Sequence, residues 1–364
     1  MVIGGGTADG PANTKSDEGS GMDTSSDGPS RRPETHEPRR RRRWPFVVGG
    51  LVALGLVGVA VFAVVLLVVA AAGGPTTPAV YDEEYVSGDG PDKVVVVPIE
   101  GVIAPADDTL GGVVPTSTPE GLGDALSQAG SDPSVAAVVL EINSPGGGVT
   151  ASDEMHQSVL DFEENTGKPV VVSMGDVTAS GGYYISTAAD HIVANPTTLT
   201  GSLGVIFQIT NFAEAADKYG IKQVVVKSGK YKDIGSSFRE MTPEEREILQ
   251  SIVDEDYSRF VDVISEGRDI PEDRVREIAD GRVYSGLQAE ELGLVDSFGG
   301  LDEASAIAGE LADTSDTTVV RYVQQPTFRD TLLARLAPQK PPAEQILDAA
   351  GLNLEPKPYY LYRP

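Results

Sequence analysis

Val135–Gly148 reads VAAVVLEINSPGGG, and its apolar opening, Val135–Ile142, decides the fold class. A short, nearly continuous run of Val, Leu and Ile suits a strand buried on both faces. The strand is expected to end at Asn143, where Ser144-Pro145-Gly146-Gly147-Gly148 begins a glycine-rich break. Outward from this stretch the pattern recurs at Val94–Ile99, Val170–Met174, His191–Ala194 and Gln223–Lys227. Helical stretches lie between the runs, around Ser152–Glu164 and Asn211–Tyr219. The longest helix is expected to run to about Gly267, with Thr242 as its cap, Pro243 first and Glu245 completing a capping box. Alternation of this kind predicts an α/β domain of right-handed βαβ units around buried strands.

The flanks have a different composition. Residues 1–43, rich in Gly, Ser, Asp, Pro and Arg, have no apolar periodicity and read as a disordered tail. The arginine run Arg39–Arg43 precedes an uncharged apolar stretch, so 44–73 reads as a transmembrane helix rather than a signal peptide, whose apolar region is shorter. Basic residues on its N-terminal flank place that end in the cytoplasm and the rest outside the cell membrane. Residues 74–92 read as a stalk, 93–325 as the folded domain and 326–364 as a Pro- and Tyr-rich tail.

Composition narrows the chemistry. Acidic residues number 55 against 28 basic ones, a formal charge of -27, which excludes the basic footprint of a nucleic-acid binder. So acidic a surface suits high ionic strength, where its self-repulsion is screened, and points to a halophilic protein. There are no cysteines and three histidines, His36, His156 and His191, so neither a thiol nucleophile nor a His-rich metal site is expected.

Glycine-rich breaks are expected after three strands: Ser144–Gly148, Ala179–Tyr184 and Thr200–Gly204. Loops of this kind admit a ligand to the backbone and free N–H groups for an oxyanion. Ser180, between a strand end and a helix start, is the leading nucleophile candidate; its plain alternative is a helix cap. A serine nucleophile needs a base, and no motif surrounds His156 or His191. Lysine can serve where desolvation disfavours its ammonium form. The loop Ser228-Gly229-Lys230-Tyr231-Lys232-Asp233 offers Lys230 and Lys232, and spacing does not choose between them.

These motifs carry a resemblance. From about Lys93 to Ala308 the chain resembles the short, single-domain form of the signal peptide peptidase A family, serine proteases related in fold to Clp protease and crotonases. The match rests on Asn143–Gly148, Ala179–Ile185, Thr200–Val205, Ser228–Asp233, and Ala279–Gly286 running on to Gly293–Asp296. The resemblance implies an α/β fold with a Clp/crotonase-like repeated ββα superhelix, preceded by one transmembrane helix. It implies Ser180 as nucleophile, Lys232 as general base and Ser202 as the residue orienting that base. Gly147 would supply an oxyanion N–H, with Gly146 and Gly181 beside it at the substrate. No cofactor or metal is implied. The implied substrates are hydrophobic peptides such as signal peptide remnants, and the implied assembly is a homo-oligomeric ring. The alternatives are a stomatin-linked membrane serine protease, an inactive crotonase-like peptide-binding scaffold, and a crotonase acting on acyl-CoA.

Overall fold

The computed structural model describes residues 54–62, 81–106, 117–324 and 358–361. The chain divides into Met1–Gly74 and Pro75–Pro364. In the first unit, residues 54–62 form helix α1. The rest of the expected membrane segment 44–73, and the tail 1–43, lie outside the described residues. Among the described residues no helix is long and apolar enough to cross a membrane.

The second unit opens with β1 (Asp82–Gly88), β2 (Asp92–Ile103), α2 (Pro119–Ser131), β3 (Val135–Gly148) and α3 (Val149–Thr166). It continues with β4 (Val170–Ala179), α4 (Gly181–Ser186), β5 (His191–Ala194), β6 (Leu199–Gly201), β7 (Ile206–Phe207) and α5 (Ala213–Lys218). Next come α6 (Pro243–Arg268), α7 (Glu272–Ile278), β8 (Val283–Ser285), α8 (Gly286–Glu291), β9 (Ser297–Phe298), α9 (Leu301–Leu311), β10 (Thr317–Val323) and β11 (Pro358–Leu361).

One mixed sheet organises these elements in the order β1-β10-β2-β3-β4-β5-β9. All neighbours from β10 to β9 run parallel, and β1 closes the edge antiparallel to β10. The Val-rich runs explain why both faces are covered. Val95, Val97 and Ile99 point into a core shared with α2, α3, α4 and α6, while Val94 and Val96 point to a second core under Ala304 and Ala308 of α9. Burying each such side chain contributes about 1.5–3 kcal/mol, so neither face of the central strands tolerates a polar residue cheaply. Helix α6 begins as its sequence dictates. Thr242 accepts from the Glu245 N–H at 3.3 Å, and the Thr242 N–H donates to the Glu245 carboxylate at 3.0 Å.

Several expectations need correction. Gln223–Lys227 is not a strand: Val224 and Val226 are 87% and 97% exposed, and residues 221–227 join no ladder. Alternating β-branched residues supply propensity, but a strand also needs a partner for its backbone groups. The stretch Ser144–Gly148 is not a break after β3 but its continuation, with Gly146 and Gly147 paired to Val102 and Ile103 beyond a bulge. Leu199–Gly201 likewise forms β6, between β4 and β8. The presumed stalk contributes β1, so the folded domain starts ahead of residue 93. Within the C-terminal tail, β11 pairs antiparallel with β3 and β7 of its own chain.

Candidate active site

Ser180 occupies the step from β4 to α4, with φ 54 and ψ -116. Positive φ is unfavourable for a non-glycine residue and holds the serine out of both the strand and the helix conformation. Its backbone is fixed on two sides: its N–H donates to the Gly201 carbonyl at 2.8 Å, and its carbonyl accepts from the Tyr184 N–H at 2.8 Å. The side chain does not cap α4. The hydroxyl is 1% exposed at the residue level and has no hydrogen-bond partner. A buried hydroxyl left unpaired loses its hydration without compensation, so its retention calls for a chemical reason.

The walls of the site are built by three hydroxyl bridges between strands. Ser144 donates to the Gly101 carbonyl at 2.6 Å, Thr178 to the Ile142 carbonyl at 2.5 Å, and Thr200 to the Thr178 carbonyl at 2.6 Å. They cross from β2 through β3 and β4 to β6, the first two beside the bulges of the β2–β3 and β3–β4 ladders. Gly147 lies so close to β2 that a Cβ on it would stand 1.8 Å from the Ile103 carbonyl oxygen. Gly181, directly after the serine, faces this stretch: a Cβ there would meet the Gly147 amide nitrogen at 3.1 Å and the Gly146 Cα at 3.2 Å. The serine, Gly146, Gly147 and Gly181 are thus gathered at one point. Strand β11 runs along Gly146–Gly148 in antiparallel register, demonstrating that an extended chain fits there.

Beneath α4 the surroundings are charged but tied up. The Tyr184 hydroxyl donates to Asp153 at 2.5 Å, and Arg259 reaches the same carboxylate at 3.4 Å. His156 packs edge-on against Tyr184, and burial pushes its pKa down to about 4. A neutral imidazole results, but Ser180 Oγ has no partner, so His156 is not its base in this arrangement.

The other expected residues are placed differently. Ser202 adopts φ 52 and donates its N–H to the Arg282 carbonyl at 2.7 Å, one residue beyond the carbonyl that receives Ser180. Lys230 and Lys232 are exposed; the Lys230 ammonium stands 4.7 Å over the Tyr231 ring. Neither lysine reaches Ser180 within hydrogen-bond distance, since that hydroxyl has no partner. The fold therefore gathers the serine and the glycines, while no hydrogen bond joins Lys232 to Ser180 within one chain. Sequence reading passed over Ser144, whose burial follows a Ser-Pro step that looks like a turn. It also passed over Arg239, which joins Asp233 to Glu245 at a spacing that no helical or strand period marks. Among the described residues, no cluster of three or more His, Cys, Asp or Glu side chains could hold a metal ion.

The chain is similar in sequence to known proteins. Residues 163–315 match the model of peptidase family S49. The chain is 32% identical over 290 residues to an Enterococcus faecium protein carrying the name signal peptide peptidase SppA, covering 77% of this chain and 84% of that one. It is 37% identical over 240 residues to protease 4 of Salmonella typhi, covering 66% of this chain and 38% of that protein. A protease of Synechocystis is 44% identical over 176 residues, or 48% of this chain and 63% of the relative. The chain thus spans less than two thirds of the latter two proteins. Its match to the Enterococcus protein covers most of both chains, and together these findings make it a member of peptidase family S49, the serine peptidases of the signal peptide peptidase A type.

Proposed function

We propose that this chain is a membrane-anchored serine endopeptidase that cuts hydrophobic peptides, signal peptide remnants among them, with a Ser180–Lys232 dyad. The observation that carries the reading is the buried, unpartnered Ser180 hydroxyl on a strained strand-to-helix step beside Gly147. The antiparallel pairing of β11 with Gly146–Gly148 supports a peptide substrate, since an extended chain adds to this edge by backbone hydrogen bonds. A Clp/crotonase-like ββα superhelix is the fold that goes with this reading.

The base comes from a neighbouring copy in a closed ring: Lys232 sits on an exposed loop, and no described residue hydrogen-bonds the Ser180 hydroxyl. Entry of Lys232 into the neighbour's site would strip its ammonium of water and favour the neutral amine. That amine takes the Ser180 proton as Oγ bonds to the peptide carbonyl carbon, and the carbonyl π pair moves onto oxygen. The Gly147 N–H stabilises the resulting anion. Collapse breaks the C–N bond, and the lysine ammonium returns its proton to the leaving amine. Water, deprotonated by the same lysine, then hydrolyses the Ser180 ester and releases the acid. Ser202 orients the lysine. The residue 44–73 segment would hold this site at the outer membrane face, where apolar peptides emerge.

Hydrolysis of a hydrophobic fluorogenic peptide tests the proposal, with wild type, Ser180→Ala and Lys232→Ala compared at low and high salt. Loss of turnover in both variants supports the dyad, and partial recovery on mixing the two inactive chains supports a shared site. Turnover that survives Ser180→Ala would overturn the assignment. Higher activity at high salt is expected if the charge of -27 reflects a saline setting.

A further inference from the structure

The loop carrying Lys232 is held by nothing apolar. Every residue from 217 to 232 is exposed. Hydrophobic burial therefore does not fix where that lysine stands, and the loop's position has to come from the residues just after it.

Arg239 supplies that position. Its side chain uses all five N–H donors of the guanidinium. Nε donates to Asp233 Oδ2 at 3.1 Å, and Nη2 donates to the Asp233 carbonyl at 2.9 Å. Nη1 and Nη2 donate to Glu245 Oε2 and Oε1 at 2.7 and 2.5 Å, a bidentate pair, and Nη1 also donates to the Glu240 carbonyl at 3.0 Å. Glu245 is the capping-box residue in the first turn of α6, and its side chain is 3% exposed. On the other side, Lys227 Nζ pairs with Asp233 Oδ1 at 2.5 Å and donates to the Lys230 carbonyl at 2.9 Å. Asp233 therefore receives two cations and is 12% exposed, directly beside Lys232. The cations hold the Asp233 carboxyl well below the usual carboxylate range, and Arg239 brings Glu245 down to about 2.

We infer that Arg239, with Glu245 and Asp233, is a positioning device that anchors the exposed Lys232 arm to the start of α6 and sets where its amine enters a neighbouring copy's site. The inference rests on the assignment of Lys232 as base. The first turn of α6 is held by the Thr242–Glu245 capping box and by the burial of Glu245 itself, while Phe260, Val261 and Ile264 fasten the far half of the helix to the main core. Arg239 grips both the side chain and the backbone of the residue adjoining Lys232, which point-charge attraction alone would not align. An arm lacking this clamp would still carry its lysine, but over many positions, and misplacement by about 1 Å can cost about 10²-fold in rate.

The test compares full-length wild type, Arg239→Ala, Arg239→Lys, Glu245→Gln and Lys232→Ala on the fluorogenic peptide, with melting temperature and ring assembly followed in parallel. Arg239→Ala is expected to lower kcat about 10–100-fold with little change in KM, and to move the acid limb of the kcat–pH profile upward. Added guanidinium ion should recover part of that loss, whereas Arg239→Lys should not, having no planar fork. Glu245→Gln keeps the shape of the cap and should show a smaller fall of the same kind, a check if Arg239→Ala folds poorly. An assembled Arg239→Ala or Glu245→Gln enzyme with wild-type kcat and pH profile would overturn the inference. So would a loss that merely tracks melting and is not recovered by guanidinium. Full activity in Lys232→Ala would instead overturn the base assignment beneath it, a separate result.

Discussion

The backbone N–H of Ser180 donates to the carbonyl of Gly201 across 2.8 Å, tying the candidate nucleophile to the strand that leads into Ser202. Thr200 reinforces the tie through its hydroxyl bond to Thr178. Both serines adopt positive φ, 54 and 52, at the two ends of this junction. Each such conformation costs about 1–3 kcal/mol and persists because its neighbours over-determine it.

Gly201→Ala should break that junction. The residue has φ +84, and a Cβ would meet Tyr284 Cδ2 at 2.6 Å and the Arg282 carbonyl at 2.9 Å. Thermal melting should show a loss of about 1–3 kcal/mol, from overpacking and backbone strain together. Peptide hydrolysis should fall further than stability does, because Ser180 loses its backbone anchor. An enzyme with normal kcat would show that the anchor is dispensable.

Gly181→Ala isolates a second contact. Its Cβ would stand 2.4 Å from Ser152 Oγ, which donates to the Gly148 carbonyl at 2.9 Å. Ser152→Ala in the same chain removes that oxygen and should restore about 1 kcal/mol or more of the stability lost by Gly181→Ala. Activity should stay low, because the Gly147 amide at 3.1 Å is still crowded. Denaturant melts alongside turnover separate the two effects.

Glu163 gives stability an alkaline limit. Burial, with the Asp190 carboxylate nearby, raises its pKa from 4.5 to about 8. The native state keeps a proton that the unfolded chain releases above about pH 4.5, so this group's contribution to stability is full below that pH and is lost as pH rises toward 8. The slope cannot exceed about 1.4 kcal/mol per pH unit, and, because solvent reaches part of this carboxyl and screens its interactions, a loss on the order of 1–2 kcal/mol is expected between pH 5 and 8. Glu163→Gln should flatten this limb in urea melts; an unchanged slope would locate it elsewhere.

His156 gives the acid limit. Burial lowers its pKa from 6.5 to about 4, so the unfolded chain takes up its proton first. The contribution of His156 to stability is therefore full above pH 6.5 and is lost as pH falls toward 4, again by at most about 1.4 kcal/mol per unit. His156→Phe keeps a ring edge-on to Tyr184, 5.2 Å away in the native pair, and removes a buried Nδ1 that lacks a partner. Its melts should lose the acid slope near pH 4–6 without loss at pH 7.

The buried strands were legible because their signal is local. Val94–Ile99, Val135–Ile142 and Val170–Met174 carry their burial in composition, and all three lie inside strands of the sheet. Thr242 and Glu245 announced the start of α6 through a spacing of three. Gln223–Lys227 carried the same signal and misled, since propensity cannot say whether a partner strand exists. The glycines of Ser144–Gly148 looked like a turn because close approach of β3 to the Ile103 carbonyl is a tertiary demand.

The sequence by itself determined the α/β class, the strand-to-helix step at Ser180 and the start of α6. These follow from side-chain burial and capping within a few residues along the chain. Only the tertiary structure decided that Gly181, next to Ser180, meets Gly146 and Gly147, that Gly201 fixes the Ser180 backbone, and that Arg239 clamps the Lys232 loop to Glu245. Those contacts join segments with no shared periodicity. Their geometry arises only when sheet register and helix packing bring distant backbone within a few ångströms.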